Sequence, residues 1–218
     1  MGNILCTPTA FSPGDHWNNE GSLPEPIASA TSVVFQNMIF VIGGTKVFKS
    51  DDGSNWQEVM NVSGGDALPE SIHHHASVVF NEKIWIFGGT TNNGWSNRIY
   101  SSADGQTWNL ESSVLPVSVH EHRVTLFDGK LYLTGGFFEG FPNRVYSSTD
   151  GLNWVRETDL PISLSGHNAV VFNNKLFIHG GETFMDGTYQ DNNLTFELVT
   201  NTNGISWTTG SIRSTYSQ

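Results

Sequence analysis

The chain has 218 residues, of which 21 are acidic and 10 are basic, for a formal net charge of −11. A surface of this charge repels phosphate backbones and anionic lipids, and no basic stripe offsets it, so nucleic acid and membrane surfaces are excluded as expected partners. Charged residues make up only 14% of the chain and glycines number 23, a balance that favours an all-β fold with many turns.

Neither a disulfide nor a membrane span is expected. Cys6 is the single cysteine in the sequence, so no intramolecular disulfide can form. The longest apolar runs have about five residues, whereas roughly 20 are needed to cross a bilayer. The first residues, MGNILCTPTAF, lack the basic and apolar regions of a signal peptide. The sequence therefore assigns the chain to no compartment.

A repeat of 45 to 47 residues organises the chain. Two independent markers, a diglycine and a Leu-Pro pair, return at this spacing. The diglycines are Gly43-Gly44, Gly88-Gly89, Gly135-Gly136 and Gly180-Gly181, and the Leu-Pro pairs begin at Leu23, Leu68, Leu115 and Leu160. We expect one domain over residues 1–218, with repeats at about 21–62, 63–112, 113–158 and 159–210.

Each repeat is predicted to contain four short strands. The first strand (TSVVF, ASVVF, RVTLF, NAVVF) ends at a phenylalanine, and two turn residues follow (QN, NE, DG, NN) that favour a tight primed hairpin. The second strand runs into the diglycine, and a loop of variable length leads to the third strand. The fourth strand begins at a tryptophan, at Trp56, Trp108, Trp154 and Trp207.

The segment S-x-D-G-x-x-W before each of the first three of these tryptophans is predicted to be a turn. In SADGQTW the aspartate can accept backbone N–H bonds, Gly105 can take the left-handed conformation and Trp108 can pack into the sheet. The fourth repeat has Asn203 in place of the aspartate, which a turn tolerates and an acid catalyst does not. A structural role is therefore favoured over catalysis.

The sequence between residue 23 and about residue 210 resembles the kelch repeat, because an apolar strand, a diglycine and a tryptophan occur in all four repeats. The first three repeats also have an aromatic residue eight positions before the tryptophan, where the fourth has Val199. The resemblance implies an all-β fold, a kelch-type β-propeller with four recognisable four-stranded blades. The aspartate turn is also similar to the Asp-box of sialidase-type propellers, one residue short, which we interpret as a shared turn and not as sialidase activity.

The two ends of the chain leave the closure of the propeller open. Kelch-like propellers generally have five to seven blades, and residues 1–20 carry Trp17 six residues before Leu23, as in the outer strand of a preceding or closing blade. Three outcomes are compatible with the sequence: a compact four-bladed ring, two arcs completing each other as a symmetric homodimer, or a fragment that needs a partner. A self-associating arc or fragment is favoured, with the ring as the runner-up.

Variation in length is concentrated between the second and third strands, in loops that kelch-like propellers place at the channel mouth. Exposed aromatic rings beside polar groups suit a carbohydrate or a protein segment. The predicted ligand-binding residues are Trp95, Phe138, Phe141, Phe184 and Tyr189. The alternative is that these rings pack on neighbouring blades, which is favoured for Phe137 because it directly follows a diglycine.

Three histidines occupy equivalent positions, five residues before the strand-ending phenylalanine, where the first repeat has Ala30. They are His75, His122 and His167. Three imidazoles that converged on a channel could bind zinc or copper. The resemblance to kelch repeats implies a structural role instead, and we expect no metal and no cofactor. The resemblance to galactose oxidase stops at the fold, because that chemistry uses copper and a cysteine-linked tyrosine and Cys6 lies in the N-terminal tail.

The main functional prediction is a non-catalytic binding module for a protein or glycan ligand. The alternative is a carbohydrate-active enzyme, epimerase- or oxidase-like, with its site at the channel mouth. Sialic acid epimerases of this fold class place basic and acidic residues there, and the corresponding candidates are Glu121, His122 and Arg123. A truncated repeat fragment without independent function is the third possibility.

Overall fold

The computed structural model describes residues 21–137, 143–185, 188–201 and 204–209. Within these ranges every regular element is a β-strand, and the strands form four antiparallel sheets of four strands each. The chain is therefore an all-β protein with the blades of a β-propeller, as the sequence predicted. In the same ranges there is no helix long and apolar enough to cross a membrane.

The four blades follow one another along the chain. The first contains β1 (Thr31–Phe35), β2 (Met38–Gly43), β3 (Lys46–Ser50) and β4 (Gln57–Glu58). The second contains β5 (Ala76–Phe80), β6 (Lys83–Phe87), the small hairpin β7 (Thr90–Thr91) and β8 (Gly94–Trp95), β9 (Arg98–Ser102) and β10 (Asn109–Val114). The third contains β11 (Arg123–Phe127), β12 (Lys130–Thr134), β13 (Val145–Ser148) and β14 (Val155–Arg156). The fourth contains β15 (Asn168–Phe172), β16 (Lys175–His179), the hairpin β17 (Glu182–Met185) and β18 (Thr188–Asp191), β19 (Thr195–Asn201) and β20 (Gly204–Thr209).

The tight hairpins between the first two strands of each blade have the predicted conformation. In the second blade Asn81 and Glu82 have φ angles of 48° and 57°, and Phe80 pairs with Lys83 on either side of them. Two consecutive positive φ angles are the mark of the primed turn that matches the twist of the strands. The corresponding pairs in the other three blades also have positive φ.

The aspartate turns are confirmed as structural elements. Asp104 Oδ1 accepts the N–H groups of Gln106 at 2.8 Å and Thr107 at 2.7 Å, and Gly105 has φ +74°. The same hydrogen bonds surround Asp52 and Asp150. The carboxylates are thus used to hold backbone donors. Asn203 and residues 1–20, on which the sequence also made predictions, lie outside the described residues.

The apolar core lies between neighbouring blades. Ile84 and Ile86 of β6 belong to a buried cluster with Phe35 of the first blade. Trp85 and Phe87, which alternate with them along the same strand, belong to the buried cluster shared with the third blade. A third cluster joins the third and fourth blades. Because successive side chains of a strand point to opposite faces, the second and third blades are each buried on both sides by their neighbours.

Backbone hydrogen bonds connect neighbouring blades at the diglycines. The N–H of Gly89 donates to the Val119 carbonyl of the next blade at 2.7 Å, and the N–H of Gly136 donates to the Leu164 carbonyl at 2.7 Å. A Cβ added at Gly135 would lie 2.3 Å from the Leu164 carbonyl oxygen of the next blade, closer than real Cβ atoms come. These positions therefore need glycine both for the close approach and for the positive φ.

The series of blades is open at both ends within the described residues. The inner strand β1 packs beside β5, β5 beside β11 and β11 beside β15, but no contact of similar extent joins β15 to β1 in this part of the chain. The strand-ending phenylalanines of the first three blades are 6%, 7% and 8% exposed, whereas Phe172 of the fourth is 64% exposed. The inner strands therefore do not close a compact four-bladed ring.

A matched pair of substitutions tests whether the next blade explains the need for glycine. Gly135 (φ +54°) and Gly180 (φ +67°) are equivalent, but a Cβ at Gly135 would lie 2.3 Å from the Leu164 carbonyl oxygen, whereas at Gly180 the nearest atom is 3.9 Å away. Both alanines bear the left-handed strain of roughly 1 kcal/mol. We expect Gly135→Ala to lower the free energy of unfolding by about 2 kcal/mol more than Gly180→Ala, measured by urea denaturation. Equal losses would show that backbone strain alone accounts for the diglycine.

Candidate functional site

One residue in each blade has a left-handed backbone at the same end of the inner strands. These residues, which we call the mouth residues, directly precede Ala30 and the three equivalent histidines; they are Ser29, His74, Glu121 and Gly166, with φ of 52°, 53°, 56° and 61°. Positive φ is uncommon for residues other than glycine, and such strained positions cluster at functional sites.

A line of backbone hydrogen bonds connects the mouth residues across the blades. The N–H of His74 donates to the Ser29 carbonyl at 3.2 Å, the N–H of Glu121 to the His74 carbonyl at 2.9 Å, and the N–H of Gly166 to the Glu121 carbonyl at 3.0 Å. The side chains of Ser29 and His74 share a further hydrogen bond of 2.9 Å. Sequence reasoning missed this arrangement, although the mouth residues differ from repeat to repeat while the scaffold residues around them recur.

The mouth residues and the inner strands enclose a cavity of about 750 Å³. Its polar lining comes from all four blades and includes Ser29, Thr31, His74, Ser77, Glu121, Arg123 and Asn168. Arg123 is the only lysine or arginine among those lining residues that the structure describes. Hydroxyl, amide, carboxylate and guanidinium groups around one space of this size suit a small polar ligand.

Arg123 brings a positive charge into a partly buried position. Its Nη1 donates to the His122 carbonyl at 3.0 Å. Burial lowers the pKa of Arg123, and the negative charge of Glu121 acts in the opposite direction. Glu121 and Arg123 thus share the cavity, as the sequence-based enzyme alternative requires. His122 does not line it, because its side chain is wholly buried between the second and third blades.

The three equivalent histidines are packed into the blade junctions. A Cβ added at Gly88 of the second blade would lie 3.0 Å from the His122 ring, and one added at Gly136 would lie 2.7 Å from His122 Cβ. His75 Nε2 hydrogen-bonds Thr31 Oγ1 at 2.8 Å, and His167 Nε2 hydrogen-bonds Thr134 Oγ1 at 2.9 Å. The imidazoles therefore fill the space between diglycines.

Burial keeps these rings neutral. It lowers the pKa of His75 to about 3 and that of His167 to about 3. For His122 burial lowers the pKa well below the usual value, and the nearby charge of Arg123 lowers it further. Among the described residues no three or more His, Cys, Asp or Glu side chains form a group that could hold a metal ion. The structure thus does not bring His75, His122 and His167 together as a metal-binding group.

A continuous series of aromatic rings crosses three blades beside the cavity. We call it the aromatic strip; it consists of Trp95, His120, Phe137, Tyr189 and Phe184, in this order. Neighbouring ring centroids are 5.0, 5.3, 5.3 and 5.0 Å apart. Trp95, Phe184 and Tyr189 are 47%, 50% and 57% exposed. Such spacing and exposure leave flat apolar surfaces available to a ligand.

Short hairpins and backbone bridges position the aromatic strip. Trp95 lies on the β7–β8 hairpin, and Phe184 pairs directly with Tyr189 across β17 and β18. Paired backbone hydrogen bonds tie His120 to Phe137, and equivalent bonds tie the other loops to the segments before the inner strands. The rings of His74 and His120 contact each other in an edge arrangement at 6.2 Å, which joins the strip to the cavity.

The structure brings together three of the five predicted ligand-binding residues. Trp95, Phe184 and Tyr189 lie in the aromatic strip, whereas Phe138 and Phe141 lie outside the described residues. Sequence reasoning missed the role of His120, which links Trp95 to Phe137 and whose ring nitrogens have no hydrogen-bond partner among the described residues. The signal in the sequence was its position two residues before a buried histidine.

Comparison with known proteins agrees with the fold. A sequence model of the DUF6242 beta propeller domain matches residues 61–209. No curated protein matches the chain. Among solved structures, that of YjhT is similar with a TM-score of 0.72 and 18% sequence identity, over 88% of this chain and 67% of that chain. At this identity the likeness concerns the fold alone.

The buried histidines predict a specific loss of stability in mild acid. Their folded pKa values lie below the unfolded value of about 6.5, so the stability that the neutral rings contribute is complete above that pH and is lost as the pH falls towards 3. Between pH 7 and 5 we expect the free energy of unfolding to fall by roughly 1–2 kcal/mol for each buried histidine. Denaturant titrations at the two pH values measure this difference.

His122→Leu should make the fall in the free energy of unfolding between pH 7 and pH 5 smaller by the contribution of one buried histidine. This holds whatever the substitution does to stability at pH 7. Leu133→Ala provides the control, since it alters a buried position of the same apolar cluster without removing a titratable group and should leave the pH dependence unchanged. An unaltered pH dependence in His122→Leu would contradict the assignment of a buried neutral ring.

Proposed function

The chain belongs to the DUF6242 beta propeller domain family, and from this premise we propose that it is a non-catalytic module that binds a glycan on the aromatic strip. The observation that carries the proposal is the unbroken series of ring contacts from Trp95 to Phe184, with three exposed rings. The apolar faces of sugar rings stack on aromatic side chains, and the polar groups of a sugar need partners nearby. The neighbouring cavity offers such partners.

The two parts of the site have complementary roles in this proposal. The aromatic strip supplies stacking surfaces, and Glu121 and Arg123 in the cavity supply a hydrogen-bond acceptor and donors that fix orientation. The His74–His120 contact makes the two parts continuous, so one ligand can reach both. Phe138 and Phe141 remain proposed contributors from the same loop as Phe137.

We also propose that the repeats are of the kelch type and that the whole of residues 1–218 forms one propeller domain. The support is the recurrence of the diglycine and the tryptophan in all four repeats and of an aromatic residue between them in the first three. We propose in the same way that the aspartate turns are similar to the Asp-box of sialidase-type propellers. The support is that their hydrogen bonds repeat in three blades.

A second candidate function is a carbohydrate-active enzyme at the cavity. The observation in its favour is that Glu121 and Arg123 line one cavity and that Glu121 has a strained left-handed backbone. A carboxylate there could exchange a proton with a sugar while the guanidinium stabilises negative charge. His122 takes no direct part in this version, because it is buried away from the cavity.

Truncation of the exposed rings tests the binding proposal. A glycan array identifies a ligand, which is then titrated by calorimetry. We expect Trp95→Ala and Tyr189→Ala each to weaken binding at least tenfold, since loss of a stacking surface costs about 1.4 kcal/mol or more. The thermal melt should be preserved because both side chains are about half exposed.

Leu110→Ala serves as the control, because Leu110 is an exposed apolar residue on the outer strand β10. The Leu110→Ala variant should bind the glycan with the same affinity as the wild-type chain. Full glycan affinity in both Trp95→Ala and Tyr189→Ala would reject the aromatic strip as the site. Binding of peptides instead of glycans would retain the site and reject the ligand class.

Arg123→Ala and Glu121→Gln separate the two candidate functions. If the bound glycan is chemically converted by the wild-type chain and these variants bind it but no longer convert it, the enzyme function is favoured. If no conversion is found by NMR and the variants only bind more weakly, the binding module is favoured.

A further inference from the structure

We propose that the ligand unit held in the cavity is zwitterionic, with its positively charged group beside Glu121 and its negatively charged group beside Arg123. The inference rests on the proposed function, because it takes the cavity to be part of the glycan site. It goes further by naming the charges of the bound sugar unit, which is a pyranose that carries both an ammonium and a carboxylate group.

Two opposite charges line the cavity without neutralising each other. Glu121 and Arg123 are, apart from histidines, the only acidic and basic residues among the described lining residues. Within the described part of the chain neither forms an ion pair, either with the other or with a third residue. The guanidinium makes one hydrogen bond there, to the His122 carbonyl, and the Glu121 carboxylate makes none. Opposite charges in a partly buried cavity attract each other, so their separation needs a structural cause.

The backbone keeps these two side chains apart. The N–H of Glu121 donates to the His74 carbonyl at 2.9 Å, and its carbonyl accepts the N–H of Gly166 at 3.0 Å. Arg123 begins the inner strand β11, and His122 between them is wholly buried in the junction. Because all three consecutive residues are held by contacts of their own, a ligand meets both charges already in place.

The surroundings of each charge leave it available to a ligand. A Cβ added at Gly166 would lie 3.9 Å from Glu121 Oε2, so this carboxylate lies beside the mouth residue of the fourth blade. The charge of Arg123 lowers the pKa of His122 and of His167, and neither neutral ring offers it a negative charge. The negative charge of Glu121 raises the pKa of Arg123. The two groups are therefore near enough to act on each other through space, but they are not in contact.

This arrangement selects for a ligand that carries both charges. A ligand with a single charge is attracted by one of the two residues and repelled by the other, whereas a zwitterion is attracted by both. An uncharged ligand covers both charged groups without pairing either, which costs free energy. The amide of Asn168 and the hydroxyl of Ser32 line the same cavity and suit the hydroxyl groups of a sugar.

A series of sugars that share one pyranose ring tests the inference. The methyl glycosides of glucose, glucosamine, glucuronic acid and 2-amino-2-deoxyglucuronic acid are uncharged, cationic, anionic and zwitterionic. Each is titrated into the wild-type chain at pH 7 and followed by calorimetry or NMR. We expect the zwitterion to bind at least about tenfold more tightly than each of the other three.

Two variants should change this preference in opposite ways. Glu121→Gln removes the repulsion of an anion, so the anionic and zwitterionic sugars should bind with similar affinity. Arg123→Gln should make the cationic and zwitterionic sugars similar instead. Asp128→Asn and Lys130→Gln are the matched controls, because they make the same changes of charge at exposed positions in the turn after β11 and at the start of β12. Both controls should keep the wild-type preference.

Equal affinity of the wild-type chain for the four sugars, or a preference unchanged in Glu121→Gln and Arg123→Gln, would overturn the inference. If the four sugars bind alike and Trp95→Ala weakens all of them, the glycan site is retained and only the zwitterion is rejected. If the zwitterion is preferred but ring truncations affect no glycan, the cavity is retained and the aromatic strip is rejected.

Absence of binding by all four sugars would also overturn the inference, while the glycan array and the strip variants still decide the proposed function. Thermal melts establish that the variants are folded.

Discussion

The close approach of one blade to the next at the diglycines is the constraint on which the rest of the structure depends. The second glycine donates its N–H to the following blade at 2.7 Å in two junctions, and a side chain on the first glycine of these pairs would overlap a backbone carbonyl oxygen of that blade. Once the backbones are this near, the strands on both sides bury alternate residues against their neighbours. The buried histidine fills the remaining space between two diglycines, and its neutral ring is a consequence of that packing.

The same junctions place the variable parts of the repeats at one end of the molecule. In the second, third and fourth blades the segment before the inner strand is bonded both to the diglycine loop and to a neighbouring mouth residue, so the backbone there is held in a conformation that few residues adopt freely. The loops that follow the diglycines are tied to this framework and differ in length and in aromatic content. A rigid framework with variable loops is the usual basis of a binding surface. The aromatic strip and the cavity are the two products of this arrangement.

Three consecutive residues, 121–123, lie in different environments at the mouth of the cavity. Glu121 lies among the mouth residues, His122 is buried in a junction and Arg123 lines the cavity. A strained residue followed by an inner strand turns consecutive side chains in different directions. The enzyme alternative grouped these three residues because they are neighbours in sequence, and the structure retains only two of them at the cavity. A residue that packs between blades, His122, therefore lies directly between two residues, Glu121 and Arg123, that line the cavity.

The sequence alone determined the features that depend on local or periodic patterns. The 45-residue rhythm, the four strands of each repeat, the hairpins at Asn81-Glu82 and its equivalents and the turn around Asp104 follow from residues within one repeat, because turn residues and alternation act over a few positions. Only the tertiary structure decided which loops meet. Trp95 lies in the second blade and Tyr189 in the fourth, and they are joined through His120 and Phe137 of the third blade. This series of ring contacts depends on the angle between blades. The exposure of Phe172 was likewise invisible in a motif shared by all four repeats, since burial requires a neighbour that no local pattern encodes.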